Sequence, residues 1–204
     1  MREFCFHCFR PQSSCMCMYF GRYETKFRYV ILMHPMEFKK VKNNTGMFTH
    51  RQLVNSEIIT GIDFTHNKRV NELISKTDAF ILYPGDNSKN LDYEKLELRH
   101  SEQTIFIIDA TWPCAKKMLK LSENLKLVPR ISFDVQTKSQ YKIKKQPKDF
   151  CLSTIESVHL LINKLAHLKF ESKIDDSFLR SFHEMNNYQL KSIDNQSNKN
   201  HAHD

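Results

Sequence analysis

The sequence predicts an α/β protein: a mostly parallel sheet flanked by helices, with a small cysteine knuckle before it. Three observations predict this. The runs Phe27–Met33, Ala79–Tyr83 and Thr104–Ile108 are rich in β-branched and aromatic residues and read as buried strands. Between and after them, apolar residues recur at helical spacing, so strands and helices alternate. Four of the six cysteines, Cys5, Cys8, Cys15 and Cys17, crowd into the opening segment.

Residues 1–24 form the knuckle. The spacing C-x2-C-x6-C-x-C supplies two close pairs, enough for a tetrahedral zinc with four thiolates. Reduced unpaired thiols and two disulfides are the alternatives. Arg2, Arg10 and Arg22 would partly offset the thiolate charge, and His7 is a possible substitute ligand. Little else in this segment builds a core, so metal would have to order it. Cys114 and Cys151 stand alone and read as small buried hydrophobes.

Residues 25–190 form the main domain. Phe27–Met33 is its first strand, stopped at His34–Pro35. His34 and Glu37 can orient a base or a ribose there, Lys39, Lys40 and Lys42 can meet phosphates, and Asn44–Thr45–Gly46 suits a tight turn. Thr49–Ile59 and Lys68–Ser75 read as helices. Ala79–Tyr83 is a strand ended by Pro84–Gly85–Asp86, where Gly85 lets backbone approach a ligand. Leu91–Arg99 is mixed and reads as helical. Thr104–Ile108 is the central strand, and Pro113–Leu121 is a helix with proline in its first turn. Leu127–Arg130 is a loop before a short strand at Ile131–Phe133. Ser139–Asp149 sets Lys142, Lys144, Lys145 and Lys148 around Tyr141, a pattern that suits an RNA backbone or a solvated loop. Ser153 and Glu156 make a capping box for a core helix bearing Ile155, Val158, Ile162 and Leu165. Asp175–Leu190 is the last helix, anchored by Phe178, Leu179 and Phe182. Residues 191–204 are polar and read as a disordered tail.

The 204 residues are enough for one substantial core. The formal charge of +8 favours a polyanionic partner, nucleic acid first, over a basic surface kept only for solubility. No apolar run approaches a membrane span and the start has no signal-peptide core, so a cytoplasmic location is expected.

The central strand ends at Asp109, and in open α/β sheets ligands bind at such carboxyl ends. Asp109 and Thr111 lie on the turn that follows, beside Trp112, the only tryptophan. Trp112 either packs under the turn or offers its face to a ligand. The plainer alternative is an aspartate helix cap followed by a core tryptophan.

These residues carry a resemblance. Asp109–Ala110–Thr111–Trp112 is similar to the D-x-T-W motif that names the DTW-domain family. The cysteine pairs with Arg10, His34–Pro35–x–Glu37 with Asn44–Thr45–Gly46, Leu82–Tyr83–Pro84, Leu127–Val128–Pro129–Arg130, Tyr141–Pro147 and Leu152–Ser157 resemble the family's other motifs, in family order, over roughly residues 5–170. There are two departures: Lys144 and Lys145 stand in the basic block where the family usually has arginine, and Ser157 where it usually has alanine. Lysine keeps the charge but loses bidentate phosphate geometry.

The resemblance implies a SPOUT-like fold with a trefoil knot. It also implies an enzyme that moves the 3-amino-3-carboxypropyl group of S-adenosylmethionine to N3 of a tRNA uridine, releasing 5′-methylthioadenosine. Asp109 is then the candidate base or orients the donor's amine, with Thr111 and Trp112 supporting it. Tyr83–Pro84–Gly85, Leu127–Val128–Pro129 and Leu152–Ser153–Thr154 with Glu156 would form the donor cleft. His34, Glu37, Lys39, Asn44, Thr45, Tyr141, Lys144 and Lys145 would face the tRNA, and the zinc would be structural. A methyltransferase using the same donor and a non-catalytic zinc-knuckle RNA-binding module are the competing readings.

Overall fold

The computed structural model describes residues 3–39, 44–85, 87–136, 138–141 and 151–200, the backbone alone for 194–200. Six strands form one sheet: β1 (Arg28–Met33), β2 (Ser56–Thr60), β3 (Asp78–Leu82), β4 (Ser88–Asn90), β5 (Gln103–Asp109) and β6 (Arg130–Ser132). Their order is β2-β1-β5-β3-β6-β4, and every pairing is parallel.

Alternate residues of each central strand face opposite layers. Tyr29, Ile31, Met33, Ile105 and Ile107 join one cluster, packed under α2 (Thr45–Gln52), α6 (Thr154–His167) and α7 (Arg180–Asn200). Val30, Leu32, Ile81 and Phe106 join the other, under α3 (Lys68–Lys76), α4 (Trp112–Leu121) and α5 (Glu123–Lys126). Because both faces are covered, the strands are apolar throughout rather than alternating. The chain leaves β1 through the four-residue α1 (Pro35–Phe38) towards α2, and leaves β5 towards α4 on the opposite face. The two exits diverge at Met33 and Asp109, which are paired in register.

The mostly parallel α/β architecture is as expected, and four elements differ. The helix expected over Thr49–Ile59 is two elements: α2 ends at Gln52, and Ile58 and Ile59 belong to edge strand β2. Asn44 starts α2 early by accepting the Met47 N–H at 2.8 Å. No helix covers Leu91–Arg99. Leu91 and Leu96 are buried as anchors of an irregular segment behind β4. Strand β4 (Ser-Lys-Asn) has no apolar residue to betray it. The last helix runs past Leu190 to Asn200, although residues 191–204 read as disordered; residues 201–204 lie outside those described. It starts at Arg180 rather than Asp175, after a 3-10 turn at Asp176–Leu179. The expected anchors Phe178, in the turn, and Phe182, in the helix, are fully buried. Cys151 is buried as read, whereas Cys114 is only half-buried. The knot implied by the resemblance depends on the chain path between β6 and α6, and residues 142–150 of that path lie outside the described residues.

Candidate active site and metal centre

Asp109 is the last residue of β5 and is 8 % exposed. Its carbonyl accepts the His34 N–H at 3.0 Å, which ties the exits of β1 and β5 together. Its carboxylate Oδ1 accepts the Thr154 hydroxyl at 2.6 Å, and Thr154 is the first residue of α6. On the other side lies the first turn of α2. A Cβ on Gly46 would fall 2.8 Å from the Asp109 Cγ, so only glycine lets the helix come this close. Three elements distant in sequence therefore converge on one carboxylate, and the positive end of α2 faces it.

Asp109 is not the helix cap. That position belongs to Thr111, which is exposed and makes no side-chain cap bond. Nor is Trp112 a core residue: it is 43 % exposed. Its ring meets Tyr83 at 5.8 Å between centroids, and the Arg130 guanidinium lies 5.5 Å from the centre of the same tyrosine ring.

Tyr83, Pro84, Trp112, Leu152 and Thr154 line a cleft of about 480 Å³ above the carboxyl ends of the strands. That is ligand-sized. Ala110, Ala115 and Ser157 also line it, the small side chains leaving it room, and Ser132–Val135 close it beyond β6. Sequence reasoning missed this last group and gave Ser157 no part in the cleft. The usable signal was its place one turn into a helix whose start already belonged to the site.

Other predicted residues fall elsewhere. Leu127, Val128 and Pro129 line a separate hollow of about 370 Å³. They precede β6, so in a parallel sheet they sit at its amino end, whereas the cleft is built by residues that follow it. Gly85 is exposed, with the nearest atom to an added Cβ 3.8 Å away, so no close approach depends on it. Glu156 is buried, and its carboxylate accepts from the Ser153 N–H and hydroxyl, the Ser139 hydroxyl and the Gln140 N–H, at 2.6–2.9 Å. It is thus a clamp that fixes residues 139–140 on the start of α6, where a cofactor contact was expected.

Beside Asp109, His34 caps α1 through Nδ1, which accepts the Met36 N–H at 3.2 Å and so leaves the proton of a neutral ring on Nε2. Asn44 is consumed internally: beyond its cap bond, its amide donates to the Glu37 carbonyl at 2.8 Å. Thr45 is buried at the start of α2, Glu37 is half-buried, and Lys39 is exposed at the end of α1. Tyr141 is brought near the site. Burial, and then the charges of Glu37, Asp109 and Glu156, push its phenol up to about 12, so it stays a neutral donor. Lys144 and Lys145 lie outside the described residues.

The four predicted cysteines do meet. Their sulfurs all lie within 4.8 Å of one another and none is in a disulfide. Cys5–Cys17 and Cys8–Cys15 are 3.5 and 3.8 Å apart, close to the edge of a tetrahedron with metal–sulfur bonds of about 2.3 Å. The cluster can hold a metal ion. The backbone N–H groups of Cys8 and His7 draw the Cys5 thiol down to about 6, while burial and the other sulfurs push Cys17 up. Arg10 is the internal counter-charge: it is buried, donates from Nε to Ser14 O at 2.6 Å, and senses Cys8 and Cys15 electrostatically.

Among the described residues, no helix is long and apolar enough to cross a membrane. No solved structure matches the chain. Proteins named tRNA-uridine aminocarboxypropyltransferase 2 from Macaca fascicularis and Mus musculus are each 27 % identical over 195 residues, 93 % of this chain. The chain spans only 64 % of the length of each. A Drosophila melanogaster protein of the same name is 27 % identical over 198 residues and is covered for 76 % of its length. The DTW domain family matches residues 2–190, nearly the whole chain and all of the site just described, and the chain belongs to that family.

Proposed function

We propose that this protein transfers the 3-amino-3-carboxypropyl group of S-adenosylmethionine to N3 of a tRNA uridine. The observation that carries the reading is Asp109, buried and bonded to Thr154, a residue that lines the ligand-sized cleft, in a chain whose relatives are named for aminocarboxypropyl transfer to a tRNA uridine. The charge of +8 suits a tRNA substrate.

When bound, the donor supplies a sulfonium that makes its own carbon electrophilic and leaves as a neutral thioether. The protein's residues do the rest. Tyr83 and Trp112 offer the flat surfaces that hold an adenine. The amino end of α6, with Thr154, faces the cleft and favours the donor's carboxylate. Asp109 takes the N3 proton as the N3–C bond forms and the C–S bond breaks, and Thr154 aims its carboxylate. Cys5, Cys8, Cys15 and Cys17 would hold zinc, whose contribution is order, since four thiolates leave no open position. Elemental analysis should find one zinc per chain; active protein without metal would end that part of the reading.

Asp109→Asn tests the base. Asparagine keeps the shape but cannot take the proton. S-adenosylmethionine binding should stay near normal, while modified uridine falls by about two to four orders of magnitude in single turnover. A joint fall in binding and activity makes Asp109 an orienting group instead, and full activity removes it from the chemistry. Mass spectrometry of the small product separates the transfer proposed from methylation: methylthioadenosine supports it, S-adenosylhomocysteine refutes it.

A further inference from the structure

The knuckle turns its apolar side chains outward. Phe6 is 90 % exposed, Met18 77 %, Phe4 53 % and Phe9 51 %, whereas Met16 of the same segment is buried in the main core. Rings that only supported the metal site would be turned inward with Met16.

Phe9 carries a second, independent observation. Its backbone is left-handed, with φ of 55°. For a residue with a Cβ this costs about 1 kcal/mol or more, and glycine would adopt it without strain. The turn demands the conformation, because the Phe9 N–H closes on Cys5 O at 2.8 Å around the ligand cluster. Phenylalanine there is unexplained unless its ring has a use beyond the turn.

The surroundings say what that use is. The Arg51 guanidinium, from the last turn of α2, lies 5.3 Å over the Phe9 ring, and its Nε is buried without a hydrogen-bond partner. Arg180, at the start of α7, lies 5.4 Å over Tyr19, and the neighbours of the two arginines touch, Gln52 donating to the Ser181 hydroxyl at 3.3 Å. Flat exposed rings beside guanidinium groups, in a chain of charge +8, match a partner that is both polyanionic and unstacked. We infer that Phe4, Phe6 and Phe9 stack unpaired bases of an RNA, with Arg51 and Arg180 towards its phosphates. The identity of that RNA as the tRNA substrate rests on the function proposed above. Helix α2 spans the distance: Gly46 in its first turn abuts Asp109 and its last turn carries Arg51, five residues or about 7.5 Å further along one rigid element. One RNA can therefore engage both places.

The test compares wild type with Phe6→Ala and Phe9→Gly, using an unmodified tRNA transcript, a fully paired RNA duplex and S-adenosylmethionine as probes. Each variant should bind tRNA about five- to a hundredfold more weakly, the range for losing one base stack. The tRNA KM should rise with kcat unchanged, and donor and duplex affinities should stay put. Phe9→Gly relieves backbone strain, so its Tm should hold or rise, and weaker RNA binding then cannot be unfolding. Unchanged tRNA affinity in both variants, or equal weakening on the duplex, overturns the proposal and leaves the rings to a protein partner. If wild type binds no tRNA, the substrate reading falls, and a single-stranded oligouridylate decides the platform separately: binding lost in the variants sustains it, and no binding by wild type ends it.

Discussion

The two ends of the sheet each carry a hollow, and they are built on opposite principles. At the amino end, the Asp78 carboxylate accepts the Arg99 N–H at 2.6 Å, the His100 N–H at 2.7 Å and the His100 ring at 2.9 Å. Its acceptors are filled by neighbours, and the hollow around it is a by-product of tying a loop to the start of β3. At the carboxyl end, Trp112 is half-exposed and Thr111 makes no cap bond. Thr111 and Trp112 are positioned there by the fold without being used up by it, and that distinguishes a site from a joint.

The contrast sharpens most at Gly46. Gly46→Ala would put a methyl group against the Asp109 carboxylate, 2.8 Å from Cγ and 3.0 Å from the Met33 Cε. Activity should fall about a hundredfold, because displacing a reacting group by about an ångström costs that much. Stability should fall by about 1–3 kcal/mol from overpacking. Alanine is the better helix former, so the same change made together with Asp109→Ala should be neutral or stabilising. A thermal-denaturation cycle without that reversal would show that the two residues are not in collision.

Asp78→Asn probes the other end. Burial raises the Asp78 carboxyl, but the His100 ring and the two N–H groups outweigh it, and the net position lies below the ordinary value. A depressed carboxyl contributes stability that is present above its unfolded pKa and lost as pH falls through the folded one. The variant should therefore lose about 1–3 kcal/mol near neutral pH and show less further loss below about pH 4. Turnover should not change; a hundredfold loss would make this hollow part of the site.

The smallest effect belongs to Leu127→Ser. Leu127 is 85 % exposed at the amino-end hollow, so stability and donor affinity should both stay within about 0.5 kcal/mol of wild type. A tenfold loss of donor binding would return the Leu127–Pro129 segment to the cleft.

What the sequence made legible follows from how local each determinant is. The cysteine cluster closes within thirteen residues, and its spacing alone brought four sulfurs together. Strands β1, β3 and β5 were legible because burial on both faces leaves an unbroken apolar run. Edge strands β2 and β4 face solvent and carry no such run: Ile58 and Ile59 fit a helix equally well, and Ser88–Asn90 fits a loop. At the site, Asp109 was found from its place after a strand. The fault at Leu127–Pro129 was one of polarity, since those residues enter their strand and Ser132–Val135 leave it. The contact of Gly46 with Asp109 spans more than sixty residues and has no local signature.

The place of β5 has a consequence for how the chain matures. It lies between β1 and β3, which do not pair with each other. During synthesis β1, β2 and β3 all emerge before it, so β1 and β3 each present an open edge with no partner. The nascent sheet stays in two pieces until Gln103–Asp109 arrives to join them. Asp109 is the last residue of the joining strand, so its carboxylate meets Gly46 in the event that joins the two pieces, and Thr154 reaches it only once α6 has followed. Translation that stalls shortly before this strand would leave apolar edges exposed and the cleft unformed, and the chain is most exposed to aggregation or to chaperones over that interval.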